Sequence, residues 1–70
     1  MKNISELLNI VRAGAGVVLE AEGLTADDVL PLARAASEAK VTLTVRGALH
    51  WRTHDLVTIA KAGGGRVVYE

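Results

Sequence analysis

The residues of this chain that are best equipped for chemistry stand together in the segment His50-Trp51-Arg52-Thr53-His54-Asp55. The two histidines, the arginine and the indole could hold a phosphate group, and His50 and His54 could alternatively bind a metal ion. We expect the segment to lie at the carboxyl end of a parallel strand and the start of a helix, where open α/β folds place ligands. The candidate ligand-binding residues are therefore His50, Trp51, Arg52 and His54.

These residues also have a purely structural explanation. Trp51 occupies the position that Leu24 holds in the preceding repeat, where an apolar side chain can staple the chain onto the next helix. His54 then corresponds to Asp27, a solvated position in a first helical turn. Two histidines without a nearby third ligand are also a weak metal signal, so we predict no metal site.

The sequence does not indicate catalysis. His50, His54 and Asp55 are the only local acid or base candidates, and no serine lies near them in the sequence. Catalysis by such groups needs them within hydrogen-bond reach of each other and shielded from water. The segment Gly63-Gly64-Gly65 follows a helical pattern and precedes a strand, whereas phosphate-binding loops run in the opposite order. We therefore predict a protein that is not an enzyme and uses no cofactor.

The length and composition of the chain limit the core that it can build. Its 70 residues predict a single domain, residues 1–70, with no phenylalanine, one tryptophan and one tyrosine. A chain of this size buries only about 60% of its unfolded surface, so its stability is marginal. We therefore expect support from a partner or from a second copy of the chain.

Charge and cysteine content narrow the class of partner. Eight basic and eight acidic residues give a formal net charge of zero, which favours neither nucleic acid nor an anionic membrane. The chain has no cysteine, which suits a reducing compartment. No apolar run near the amino terminus has the length of a signal peptide or a membrane span. We predict a cytoplasmic protein that binds neither nucleic acid nor membranes.

A helix followed by a glycine-rich stop and a strand occurs twice in clear form. The first copy predicts a helix over residues 5–13, a stop at Gly14-Ala15-Gly16 and a strand over residues 17–22. The last copy predicts a helix capped by Thr53, a second glycine stop, and a strand over residues 67–70. A looser copy lies between them, so the chain consists of three helix–strand units.

The middle copy joins a helix to a strand over residues 41–46. Thr25 and Asp28 have the spacing of a capping box, but a helix capped by Thr25 would contain Pro31 and lose a backbone hydrogen bond. We therefore expect this helix to start later, with Asp27 or Asp28 as its cap, or to have a bent first turn. Its predicted inward face consists of Val29, Leu32, Ala33 and Ala36.

Alternation along the strands predicts which face of the sheet is covered. In each strand the apolar residues point to one side and more polar residues to the other, unlike the continuous apolar strands of a sheet buried on both faces. Parallel strands joined by helices on one face add in the order 1-2-3, because such crossovers are right-handed. We predict an α/β fold of three αβ repeats in two layers, a three-stranded parallel sheet with its helices on one face.

The face of the sheet that no helix covers is a second candidate site. Its mixture of valine, threonine and charge fits a moderately polar protein-binding surface and equally an ordinary solvated face. The predicted rows across the strands, which together form the predicted interaction surface, are Val18 with Thr42 and Val68, Glu20 with Thr44 and Glu70, and Glu22 with Arg46. We expect the last two residues to form an ion pair.

The outer edge of the third strand is unprotected. Residues 67–70 contain no lysine, proline or visible bulge, and an exposed edge invites pairing with another chain. Pairing of two third strands would give a six-stranded sheet with a two-fold axis, so we predict a homodimer through this edge.

The predicted function follows from the surface and the edge together. We predict a small non-catalytic protein-interaction module, either an oligomerising adaptor or an inhibitor or immunity-type protein. The alternative is a small protein that binds an anionic ligand or a nucleotide with residues 50–55.

Overall fold

A computed structural model describes residues 3–70 and contains three helices and three strands in strict alternation. The strands are parallel and lie in the order β1-β2-β3 within one sheet, which confirms the predicted αβαβαβ topology. The bounds of the elements are α1 Ile4–Arg12, β1 Val17–Glu20, α2 Ala26–Ala39, β2 Leu43–Arg46, α3 Thr53–Ala62 and β3 Val67–Tyr69.

The core lies between the sheet and a single layer of helices. Helix α2 packs between α1 and α3, and every second residue of β2 is fully buried beneath the helices. The inward face predicted for α2 is confirmed, because all four of its residues are fully buried. The buried core consists of Val11, Leu19, Ala21, Val29, Leu32, Ala33, Ala35, Ala36, Leu43, Val45, Ala48 and Ile59.

Helix α2 starts earlier than the sequence analysis predicted. Thr25 is its N-cap, and Thr25 and Asp28 form a reciprocal capping box, with the Thr25 amide donating to the Asp28 carboxylate over 2.9 Å. Pro31 therefore lies inside the helix. The prediction was wrong because Pro31 removes only one backbone donor, whereas the capping box gives the amides of Thr25 and Asp28 one side-chain acceptor each.

The other helix and strand ends differ from prediction by small shifts. Asn3 caps α1 and accepts a hydrogen bond from the Glu6 amide over 2.9 Å. Arg52 is the N-cap of α3 and makes no side-chain cap hydrogen bond, so the prediction of Thr53 as the cap was wrong. The first strand ends at Glu20 and the second begins at Leu43, both inside their predicted ranges.

The carboxyl end of α3 lies close against β3. Gly63 is buried with φ −80°, and a Cβ added there would collide with Cγ2 of Val67. The side chain of Tyr69 reaches the same helix, and its hydroxyl donates to the carbonyl of Leu56 over 2.8 Å. Val67 and Tyr69 therefore face the helices. No helix within residues 3–70 is both long and apolar enough to cross a lipid bilayer.

Candidate functional site

The open face is the side of the sheet opposite the helices, and two rows of side chains cross it. In the parallel register Val18 lies level with Thr44, and Thr44 with Val68. Val18 is 62% exposed and Val68 is 42% exposed, with the half-buried Thr44 between them. The second row is Glu20, level with Arg46, and Glu70 beyond it on the same face.

The rows predicted from the sequence are wrong by two residues in β2. Thr42 precedes β2 and does not lie level with Val18, and Thr44 does not lie level with Glu20. A shift of two residues leaves every side chain on the same face of the sheet, so alternation alone does not detect it. Glu22 and Thr42, which were predicted for the open face, lie outside the strands. The other six predicted residues lie on that face, but the sequence paired them with the wrong neighbours across the strands.

Arg46 lies between two carboxylates at the carboxyl edge of the open face. Its Nη1 atom is 3.6 Å from Oε1 of Glu20, and its Nε atom is 3.7 Å from Oε1 of Glu70. All three side chains are more than half exposed, so solvent screens both pairs and each contributes about 0.2–1 kcal/mol at most. The predicted pair of Arg46 with Glu22 is wrong, because β1 ends at Glu20 and Glu22 lies in the turn that follows.

The outer edge of β3 carries backbone groups that have no strand beside them. The carbonyl of Arg66 accepts from the Leu43 amide. The amide of Glu70 donates to the Val45 carbonyl, and the carbonyl of Glu70 accepts from Gly47, the residue after β2. Backbone direction alternates along a strand, so the amides and carbonyls of Val67 and Tyr69 point away from β2. Within residues 3–70 no strand lies beyond β3, and such an edge can pair with another strand.

A groove of about 330 Å³ runs along the carboxyl edge of the sheet. This carboxyl-edge groove is lined by Leu24, Thr25, Ala26, His50, Trp51, Arg52 and Asp55. A second groove of about 480 Å³ adjoins it through Leu24, His50 and Trp51, and is also lined by Glu20, Glu22 and Arg46.

The predicted ligand-binding residues divide between the groove and the solvent. His50, Trp51 and Arg52 line the groove, whereas His54 is exposed and does not. Asp55 lines the groove in its place, although it was not among the predicted ligand-binding residues. The signal that could have found it is its spacing, four residues after Trp51. Trp51 is half-buried and packs against the core, as its structural explanation requires.

The electrostatics of the groove are mixed. His50 and Arg52 supply the positive or titratable groups, and Asp55 opposes them with a carboxylate. The first-turn amides of α3 receive no side-chain cap and point towards this end of the molecule. Within residues 3–70, no cluster of three or more histidine, cysteine, aspartate or glutamate side chains has the geometry to hold a metal ion.

Comparison of the chain with protein-family models, with curated proteins and with solved structures finds no match.

Proposed function

We propose that this chain is a small non-catalytic protein-interaction module, either an oligomerising adaptor or an inhibitor that covers part of a larger partner. The observation that supports this most is the open face, where Val18 and Val68 remain exposed on a sheet whose other side packs against the helices. Exposed apolar side chains framed by charge are typical of the surfaces that proteins use to bind each other.

The proposal includes a homodimer that forms through the outer edge of β3. The free amides and carbonyls of Val67 and Tyr69 supply the hydrogen bonds for such pairing, and no lysine or proline opposes it. A reducing, cytoplasmic location suits a chain without cysteine. Its balanced charge argues against nucleic acid as the partner.

The test measures the solution mass of the wild type, Val68→Lys and Val18→Lys by light scattering coupled to size exclusion. Both valines lie in the same row of the open face, one on each outer strand, so the two variants are matched. We expect a dimeric wild type, a monomeric Val68→Lys variant and a dimeric Val18→Lys variant. A monomeric wild type would reject self-association, and loss of the dimer in both variants would move the interface from the edge to the open face.

A second candidate function is the binding of a small anion or nucleotide in the carboxyl-edge groove. It is favoured by the convergence of His50, Trp51 and Arg52 beside the uncapped first turn of α3. A flat indole, a guanidinium and free helix amides suit a phosphate-bearing ligand. Asp55 in the same groove weakens this candidate, because its carboxylate repels an anion.

Thermal unfolding with added pyrophosphate or ADP tests this second candidate. A ligand that binds only the folded chain raises the unfolding midpoint. We expect a rise in the wild type and in Arg34→Ala, whose arginine is exposed on α2, and no rise in Arg52→Ala. An unchanged wild-type midpoint at millimolar ligand would count against the groove as an anion site.

A further inference from the structure

The order of residues along the β3 edge restricts how two copies can pair. Val67 and Tyr69 direct their backbone groups outward, whereas Val68, Glu70 and the carbonyl of Arg66 face the β2 side. The amide of Arg66 donates to the carbonyl of Gly63. In an antiparallel pair, the residues that exchange hydrogen bonds must both direct their backbone groups at the partner strand. With Val68 on the two-fold axis, Val67 of each copy lies opposite Tyr69 of the other. The outward amides and carbonyls of these two residues can then all form hydrogen bonds across the axis.

The side chains of this register are complementary in charge. On the open face it sets Arg66 of each copy directly opposite Glu70 of the other, because both lie two residues from the axis on either side of Val68. Opposite charges facing each other across antiparallel strands stabilise the pair, and like charges destabilise it. The two copies of Val68 meet at the centre, where 42% of each side chain is otherwise exposed. A shift of the register by two residues in either direction places other residues opposite Arg66 and Glu70, so the opposite charges no longer face each other.

Other ways of extending the sheet bring like charges together. If β1 of a second copy continued the parallel sheet beside β3 in the register of the native pairs, Glu20 of that copy would lie next to Glu70. If two β1 strands paired, Glu20 and Glu22 would face a strand whose charged residues are also acidic. Of these three arrangements, only the pairing of β3 with β3 sets opposite charges across from each other.

The helix layer exposes the apolar side chain of Val57 on the surface at the β3 side of the molecule. Asp55 lines the carboxyl-edge groove with Thr25 and Ala26 of α2, so that side of α3 faces α2. Val57 lies two residues later, on the opposite side of α3 at about 3.6 residues per turn, and is 44% exposed. A two-fold axis perpendicular to the sheet at Val68 keeps both helix layers on one side and brings the two α3 helices next to each other at this surface.

We propose that the partner at the β3 edge is a second copy of this chain, paired antiparallel with Val68 on the two-fold axis and Arg66 of each copy opposite Glu70 of the other. This inference rests on the edge dimer proposed above and adds its register and symmetry. It also excludes a head-to-tail filament, in which β3 of one copy pairs with β1 of the next, because the two-fold interface occupies the β3 edge.

A cysteine at the axis tests the register directly, since the native chain contains none. Residues opposite each other in an antiparallel pair have Cα atoms about 4.5–5.5 Å apart, within the range that a disulfide spans. We expect Val68→Cys to form a covalent dimer under mild oxidation and the matched Val18→Cys to remain uncrosslinked. Two sheets stacked face to face would be about 10 Å apart, which is too far for either cysteine to form a disulfide.

Charge reversal provides a second, independent test. In Arg66→Glu two acidic pairs face each other across the axis, and in Glu70→Arg two basic pairs do, so each variant alone should dimerise about tenfold or more weakly than the wild type. An equal mixture restores opposite charges at both positions, and we expect it to form a mixed dimer close to wild-type affinity.

The outcomes separate this inference from the proposal on which it rests. A dimeric wild type whose Val68→Cys variant does not crosslink, and whose charge variants are not rescued by mixing, overturns the register but keeps the interaction module. A wild type that is monomeric by light scattering overturns this inference and the edge dimer, and leaves the inhibitor form of the proposed function. Crosslinking of Val68→Cys together with rescue in the mixture supports the register and the two-fold symmetry.

Discussion

Lys40 has an unusual backbone conformation for a residue with a side chain. It is the C-cap of α2 with φ 59° and ψ 42°, in the left-handed region, and is the only non-glycine residue within 3–70 that has a positive φ. The other two helices reach their strands through loops that place glycine in this region, at Gly14 and at Gly64. A Cβ atom disfavours this conformation, so Lys40 stores strain that glycine would relieve.

We expect Lys40→Gly to raise the free energy of unfolding by about 0.5–1 kcal/mol, because glycine adopts this conformation without steric cost. Urea denaturation measures the change. Lys40→Ala is the matched control: it also removes the charge but keeps the Cβ, and should be neutral. Equal stability of the two variants would mean that the backbone at this position is not strained.

Tyr69 couples stability to high pH. Its hydroxyl donates to the Leu56 carbonyl, and burial raises the pKa of the phenol above its ordinary value of 10.0. A group whose pKa is raised by folding holds its proton more tightly in the folded chain. Its contribution to stability is therefore complete below the unfolded pKa and is lost as the pH rises from there through the folded pKa.

We expect Tyr69→Phe to lower the free energy of unfolding by about 0.5–1.5 kcal/mol at neutral pH, because one hydrogen bond is lost. Above pH 10.0 the wild type should lose stability more steeply than the variant, since only the wild type carries this titrating phenol. Urea denaturation at neutral pH and above the ordinary tyrosine pKa measures both effects. Parallel pH profiles of the two proteins would contradict the assignment.

At the scale of elements, the amino-terminal ends of the helices are not equivalent. Helix α2 begins with a reciprocal capping box between Thr25 and Asp28, whereas α3 begins after Arg52 without any side-chain cap. The cap of α2 accounts for a helix that continues through Pro31, because it fixes the first turn before the missing backbone donor is reached.

We expect Thr25→Ala to lower the free energy of unfolding by about 1 kcal/mol, because the Asp28 amide loses the Thr25 hydroxyl as an acceptor and keeps only the Thr25 carbonyl. Thr53→Ala is the matched control, since Thr53 is the first residue of α3 and caps nothing; it should change stability by less than about 0.5 kcal/mol. Both are measured by urea denaturation. A larger loss in Thr53→Ala would restore the capping role that the sequence predicted for it.

The contact between α3 and β3 depends on the absence of a side chain at Gly63. Because φ at Gly63 is ordinary for any residue, a Gly63→Ala change tests packing alone. We expect it to cost about 1–3 kcal/mol, since the new methyl group would meet Cγ2 of Val67, a β-branched side chain with little rotamer freedom. In a Val67→Ala background the same change should cost clearly less, and a double-mutant cycle measures this coupling. Additive effects would contradict a direct clash.

At the scale of the whole molecule, two thin layers account for both the small core and the large exposed sheet face. The chain measures 29 × 26 × 18 Å, and its buried core is aliphatic throughout. Within residues 3–70 the helices cover one face only, so no described element covers the other face or the outer edges of β1 and β3. A second copy at the β3 edge would add hydrogen bonds and apolar contact without any change in the fold.

If the chain is a homodimer, its thermal stability must depend on its concentration. Association stabilises the folded state by mass action, and each tenfold rise in concentration is worth about 1.4 kcal/mol per mole of dimer. We expect the midpoint of thermal unfolding to rise with chain concentration in the wild type and to stay constant in Val68→Lys. Calorimetry over a wide range of concentrations measures it, and a constant wild-type midpoint would argue for a monomer.

The sequence by itself determined the order of the elements, the parallel sheet and the face that each strand buries. These features follow from local rules, because helical and alternating patterns specify which side of an element is apolar. The glycine stop at Gly14 and the buried face of α2 were predictable for the same reason.

Only the tertiary structure decided which side chains meet. The register of β2 against β1 depends on the lengths of the loops and on where they end, which alternation does not specify. The contacts of Arg46 with Glu20 and Glu70 follow from that register. Asp55 lines the groove and His54 does not, and this depends on how α3 is rotated about its axis against α2. The pattern of apolar residues along an element determines which of its sides is buried. Which side chains meet between two elements depends on how the elements pack, and packing involves residues that are far apart in the sequence.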